Sequence, residues 1–227
     1  MLASICLVAV LLLFAVQSIA YSKLHYKAEY RKLGVAAQIG ITEEELMQIT
    51  DNMVDYLKLK RDNLNMTATI GGQQQEVFTT LEKEHMHDVQ VLFEKGLMLR
   101  NVLVVLAVLF AALVALIGRT KGLRILARSN CVTVIATIVL LSAAAALIAT
   151  NFDRLFTQFH LVFFDNDKWI LDPARHVLIN MVPLQFFFDT AIYILVLTLI
   201  YWLILLAGSG AVLAMTGSHK KSKDAAA

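Results

Sequence analysis

His85 and His160 are the side chains of this sequence best suited to moving protons, and each stands in a distinctive neighbourhood. His85 lies in Thr79-Leu-Glu-Lys-Glu-His-Met-His-Asp-Val. Helical spacing there sets it beside Leu81, Asp88 and Val89, on a stripe continued by Leu92. A carboxylate three residues on can orient an imidazole, so Asp88 is read as its partner; the same spacing suits a buried structural histidine. His87 neighbours Lys83, Glu84, Val91 and Glu94, a mostly solvated face. His160 is set among Phe156, Phe159, Phe163 and Phe164. Such apolar surroundings lower an imidazole's pKa and keep it neutral and basic near pH 7. The plainer alternative is an interfacial aromatic belt among which His160 snorkels.

Other catalytic inventories are poor. A serine-type acyl enzyme needs a hydroxyl beside a base, yet Ser22 is the one serine of the polar segments and no Gly-x-Ser-x-Gly occurs. Cys6 and Cys131 fall in or beside apolar runs, which leaves no thiol or disulfide framework in the polar segments. His85, His160, Asp88 and Asp165 are metal-ligand types, but no His-Glu-x-x-His or similar spacing supports a metal, and none is expected. General acid/base work by histidine and carboxylate remains.

These residues must be positioned by a chain of 227 residues that is 58% hydrophobic, with a mean hydropathy of +0.66. A water-soluble domain could not hide that much apolar surface, so an integral membrane protein is expected. The net charge of +2 suggests no nucleic-acid partner. Four apolar stretches are long enough to cross about 30 Å of hydrocarbon, at 1–20, 102–118, 131–150 and 191–215. Between the second and third, the loop 119–130 carries Arg119, Lys121, Arg124 and Arg128 and no acid, which by the positive-inside rule makes it cytoplasmic. The tail 216–227 is basic too. With an even number of spans both termini lie inside, and the polar segments 21–101 and 151–190 lie outside.

The first span lacks a basic leader and an Ala-x-Ala-like site, so it is read as a retained anchor; Leu2-Ala-Ser-Ile-Cys6 matches a lipobox by coincidence. The expected fold class is an all-α membrane protein of four transmembrane helices, with a small, mainly helical extracytoplasmic domain that includes a short β-hairpin.

Within the first outer segment, Thr42-Glu-Glu-Glu45 reads as a capping box, followed by Leu46, Ile49, Met53 and Leu57 at helical spacing to about Lys60. Stretches 65–70 and 76–80 around Gly71-Gly72 suggest the hairpin. Thr79 and Glu82 form a second capping box at the head of the His85 helix. In the second outer segment, Asp165-Asn-Asp-Lys-Trp169 makes a turn with an interfacial Trp, and Asp172-Pro173 opens a short helix.

His85-Met-His-Asp88-Val89 resembles the His-Met/Phe-x-Asp/Glu-Val motif of the bacterial lipoprotein intramolecular transacylase family. Phe159-His160, Trp169-Ile-Leu-Asp172-Pro173, Leu178-Ile179, Pro183 and Phe187-Phe188-Asp189 are similar to its second block in the same order, and Asp55-Tyr56-Leu57 to a weaker third. The resemblance spans almost the whole chain. It implies an acyltransferase of the bacterial plasma membrane with its active site on the outer face. That enzyme moves the sn-2 acyl chain of a diacylglyceryl-lipoprotein to the α-amine of its N-terminal cysteine, giving the lyso form.

The expected catalytic residues are then His85, accepting the amine's proton, and His160, stabilising the oxyanion or protonating the leaving oxygen. The two roles are interchangeable. Asp88, Asp165, Trp169 and Tyr56 support them. No cofactor is required, the partners are lipoproteins and membrane lipid, and a monomer is favoured. Two rivals stand beside this reading: a membrane lipid hydrolase using the same histidines, and a non-enzymatic sensor or assembly module. A transporter is disfavoured, because the spans hold almost no ionisable residues.

Overall fold

The computed structural model describes residues 1–118 and 120–224. Among the described residues the elements are helices and one hairpin: α1 (Leu2–Ala20), α2 (Lys23–Leu33), α3 (Val35–Ile39), α4 (Glu43–Leu57), β1 (Thr67–Ile70), β2 (Gln73–Glu76), α5 (Thr80–Gly118), α6 (Thr120–Phe163), α7 (Val177–Met181) and α8 (Leu184–Asp224). Among the described residues, four helical stretches are long and apolar enough to cross a membrane: Leu2–Ala20, Thr80–Gly118, Lys121–Ala143 and Leu184–Thr216. About 20 apolar residues suffice to span. In α5 the stretch from Val102 to Gly118 carries no charged residue, and His85 lies 17 residues before it.

The chain divides into two compact units. One comprises 1–16, 98–150 and 194–227. Its packed centre is Val8, Val134 and Trp202, with Leu11, Leu12, Ile138 and Leu205 around them. Hydrogen bonds between helices add to packing, as where lipid replaces water as the surrounding solvent: Ser4 Oγ donates to Ser129 Oγ at 2.9 Å, and Asn130 Nδ2 to Ser209 Oγ at 3.3 Å. Elsewhere apolar side chains face outward, among them Val104, Val105, Val108 and Leu109 of α5.

The basic segment expected as a loop at 119–130 is helical from Thr120 on, and Gly122 explains how α6 can start so soon. A Cβ there would collide with the Val114 carbonyl oxygen. Arg119 and residues 225–227 of the expected tail lie outside the described residues.

The second unit, 17–97 with 151–193, holds the candidate chemistry. Its core gathers Tyr26, Tyr30, Met53, Phe78, Met86, Leu178, Met181 and Phe186 around the buried stripe of α4. That stripe is Leu46, Ile49, Met53 and Leu57, as the periodicity requires. The Thr42–Glu45 capping box is present in both directions. At the other end α4 stops three residues short of Lys60. Leu59 takes a left-handed φ of 58°, so that Leu59 N donates to the Tyr56 carbonyl and Lys60 N to that of Asp55.

β1 and β2 pair antiparallel, with Ile70 opposite Gln73. Gly71 and Gly72, at φ of 60° and 83°, form the two-residue turn that suits the twist of a hairpin. Its second strand is Gln73–Glu76, earlier than the 76–80 expected from strand propensity, because the glycine turn sets the register.

Within α6, Asn151 leaves helical geometry at φ −145° and ψ 41°, and the helix resumes through Phe163. The helix expected from Asp172-Pro173 is instead a turn. Asp172 Oδ1 accepts from Ala174 N and its carbonyl from Arg175 and His176 N. The short helix, α7, begins at Val177, and it is Pro183 that stands at the head of a helix, α8.

Candidate active site

His85 reaches the site because the start of α5 is fixed from two sides. Thr79 N and Oγ1 both donate to Glu82 Oε2, and Glu82 N donates back to Thr79 Oγ1. The other carboxylate oxygen, Glu82 Oε1, accepts from Leu178 N at 2.7 Å. A carboxylate with no exposed surface thereby ties α5 to α7 one turn before His85.

His160 sits on the resumed part of α6, 75 residues further along the chain, and its ring centroid is 6.0 Å from that of His85. Both imidazoles are buried, at 8% and 7% exposure. Phe164 lies edge-on to His85 at 5.4 Å, and Phe156 packs on His160 at 4.4 Å. Phe159 touches His160 too, at 5.5 Å. Phe163, expected beside it, is half exposed and packs at a tilt against Phe159.

Burial sets the protonation of the pair. His85 is pushed down to about 4, first by desolvation and then by the charge His160 would carry, against a smaller upward pull from Asp88. His160 is lowered by desolvation, partly offset by its bond to the Phe156 carbonyl. Both rings are therefore neutral near pH 7. A carbonyl oxygen can only accept, so His160 Nδ1 carries the proton in its 2.7 Å bond to Phe156 O. The neutral ring then has its lone pair on Nε2. Two further polar atoms, His85 Nδ1 and Trp169 Nε1, are shielded from solvent without a hydrogen-bond partner. Such atoms concentrate at functional sites.

The supporting residues divide. Trp169 stacks on His160 at 4.8 Å and 30°. Asp88, expected to bond His85, acts on it only through its charge; its Oδ2 accepts instead from Asn166 Nδ2 at 3.0 Å. Asn166 Oδ1 in turn accepts from Lys168 N, so this amide joins α5 to the turn that carries Trp169. Sequence reading passed over Asn166, although an Asn inside an acidic turn signal is a fair candidate for a local tie. Asp165 is exposed, and its neighbour makes the bond to Asp88.

Tyr56 lines a cleft of about 300 Å³ together with Lys83, Glu84, His87 and Lys168, a lining that includes neither His85 nor His160. Burial pushes its phenol up, so it remains a donor. Among the described residues no three His, Cys, Asp or Glu side chains are grouped as a metal ion would need.

A second polar cluster went unread in the sequence. Lys32 Nζ bonds Asp189 Oδ2 at 2.7 Å, buried Glu29 lies 3.6 Å from the same ammonium, and His25 Nε2 bonds Thr190 Oγ1 at 2.8 Å. It joins α2 to the head of α8.

The described residues form a helical protein with four stretches long and apolar enough to cross a membrane and two buried imidazoles side by side. The family model for the lipoprotein intramolecular transacylase Lit matches residues 1–187, and the chain belongs to that family of membrane acyltransferases. Among solved structures, it is similar to the membrane integral Lit of Bacillus cereus, with a TM-score of 0.69 at 22% identity over 98% of this chain and 94% of that one. Forms of that protein carrying H85R or H85A, in its own numbering, match with TM-scores of 0.68 and 0.69 at 23% identity. The first covers 100% of this chain and 92% of that one, the second 98% and 92%. No curated protein matches.

Proposed function

We propose that the chain moves the sn-2 acyl chain of a diacylglyceryl-lipoprotein onto the α-amine of the same molecule's N-terminal cysteine, with His160 as general base and His85 as hydrogen-bond donor to the oxyanion. The observation that carries this is the convergence of two neutral imidazoles from distant parts of the chain, 6.0 Å between centroids. Of the two interchangeable assignments, this one makes His160 the base. His160, with Nδ1–H engaged, presents Nε2 as an acceptor, whereas His85, at about 4, is the poorer base.

In the proposed reaction the α-amine attacks the ester carbonyl, a C–N bond forms and the amine's proton passes to His160 Nε2. His85 N–H stabilises the oxygen that takes up the charge. The tetrahedral centre then collapses, the C–O bond to the glyceryl oxygen breaks, and His160 returns the proton to that oxygen. Amine and ester belong to one substrate, so orientation is the main contribution. Well-aligned intramolecular reactions reach effective molarities of about 10⁵ to 10⁸ M. Phe156, Phe164 and Trp169 shield the reacting centre, which favours aminolysis over hydrolysis. The positive-inside rule places the site on the outer face, with both termini cytoplasmic.

The test is a mixture of two synthetic diacylglyceryl lipopeptides, one carrying isotope in both its sn-2 acyl chain and its peptide. The reading expects amide-linked label only on the labelled peptide. Label scrambled between peptides, or drawn from the sn-1 position, would overturn it, and release of free fatty acid alone would favour the hydrolase.

A further inference from the structure

The cleft at Tyr56 shares α5 and the turn before Trp169 with the imidazoles and is not used by the acyl transfer. It is lined by Tyr56, which is 5% exposed, by Asn65, by α5 and by Lys168 of the turn before Trp169. Its charges balance, Asp62 and Glu84 against Lys83 and Lys168. That balance gives no net attraction for an anionic headgroup or a nucleic acid, but it offers interspersed donors and acceptors of the kind a polypeptide backbone satisfies. Two chain neighbours connect it to the reacting centre. Glu84 precedes His85 and Lys168 precedes Trp169, and these two are joined by an ion pair of 3.2 Å. His87 lies on the cleft side of α5, on a different face from His85.

We propose that this cleft holds the first residues of the substrate polypeptide, those that follow the lipidated cysteine, and so acts as a peptide subsite of the enzyme. This rests on the transacylase reading. In this proposal a chain that presents its terminal amine to the histidine pair leaves past α5. A helix is about 10–12 Å across, so a chain passing around half its circumference covers about 16–19 Å, or about five extended residues of about 3.3–3.6 Å each. The cleft then receives peptide amides and carbonyls with little regard to side chain, and no charge of one sign is required of the substrate.

The experiment compares two substrates with the full-length protein in detergent: a diacylglyceryl lipopeptide several residues long, and diacylglyceryl-cysteine amide. Tyr56→Phe removes one hydroxyl while keeping the ring, and His87→Ala changes an exposed residue, so neither threatens the core. Each variant is expected to raise KM for the long lipopeptide about three- to tenfold, the range for one lost hydrogen bond, with kcat little changed. The cysteine amide should show a KM for the wild type that neither variant shifts. Equal shifts on both substrates, or none on either, would overturn the subsite. Binding of both ligands, followed by fluorescent labels without turnover, gives the same contrast. Stronger binding of the long lipopeptide by wild type but not by the variants supports the cleft even if no lyso product forms, a result that would defeat the transacylase reading alone.

Discussion

The indole of Trp169 lies 4.8 Å from the imidazole of His160 at 30°, while the Phe156 carbonyl accepts from His160 Nδ1. The ring is therefore fixed by a stacked face and one hydrogen bond, and its remaining nitrogen has a defined role. Removing the face should cost orientation and admit water. Trp169→Ala is expected to lower lyso-form production about tenfold or more and to release free fatty acid, whereas Trp169→Phe keeps an apolar face and most of the transfer. Product analysis by mass spectrometry distinguishes the two; unchanged transfer in the alanine variant would show that the stack is only packing.

The pH dependence follows from the same burial. Both imidazoles are lowered from their ordinary value, so neither gains a proton until pH falls below the usual histidine range. The substrate's α-amine, with an ordinary pKa of about 7.7–8.0, titrates first. Falling pH protonates the nucleophile and slows the reaction, and the acid limb of kcat/KM should have unit slope through that region. A histidine contribution steepens it only below about 6.5. A second limb already present above 6.5 in the pH–rate profile would contradict neutral imidazoles.

Glu82 is the structural anchor of the site. It caps α5 at Thr79 and accepts the Leu178 amide 96 residues away, all without exposed surface. Glu82→Ala loses a cap and leaves a buried N–H unpaired, which together should destabilise the protein by about 2–4 kcal/mol. A lowered Tm in detergent and reduced transacylation should appear together. An alanine variant that unfolds with the wild type would show that α5 is positioned by its apolar contacts alone.

The legible sequence signals were the apolar runs, the capping boxes and the α4 stripe, because each depends on neighbours within a turn or on bulk composition. The local chemistry of His160 was legible in the same way, from Phe156, Phe159 and Phe164. Contacts between distant residues were not. Asp88 has two candidate partners once the chain folds, and the amide of Asn166 takes its carboxylate although His85 is nearer in sequence. Glu82 read as a cap, which is local, while its bond to Leu178 leaves no periodic trace. Pro173 suits a first helical position, but the Asp172 side chain and carbonyl close a turn there before α7 can begin. The basic run after Gly118 read as a loop because charge marks sidedness, whereas helicity from Thr120 depends on the close approach that Gly122 permits.

The central claim, that the two imidazoles act together in acyl transfer, is met most directly in cells lacking any other N-acylating activity. Lipoprotein N-terminal peptides are read by mass spectrometry after expression of wild type, His85→Ala or His160→Ala. The account predicts lyso-form peptides with the wild type and diacylglyceryl peptides with a free amine in both variants, each protein being present in the membrane. Wild-type levels of lyso form with either variant would contradict it.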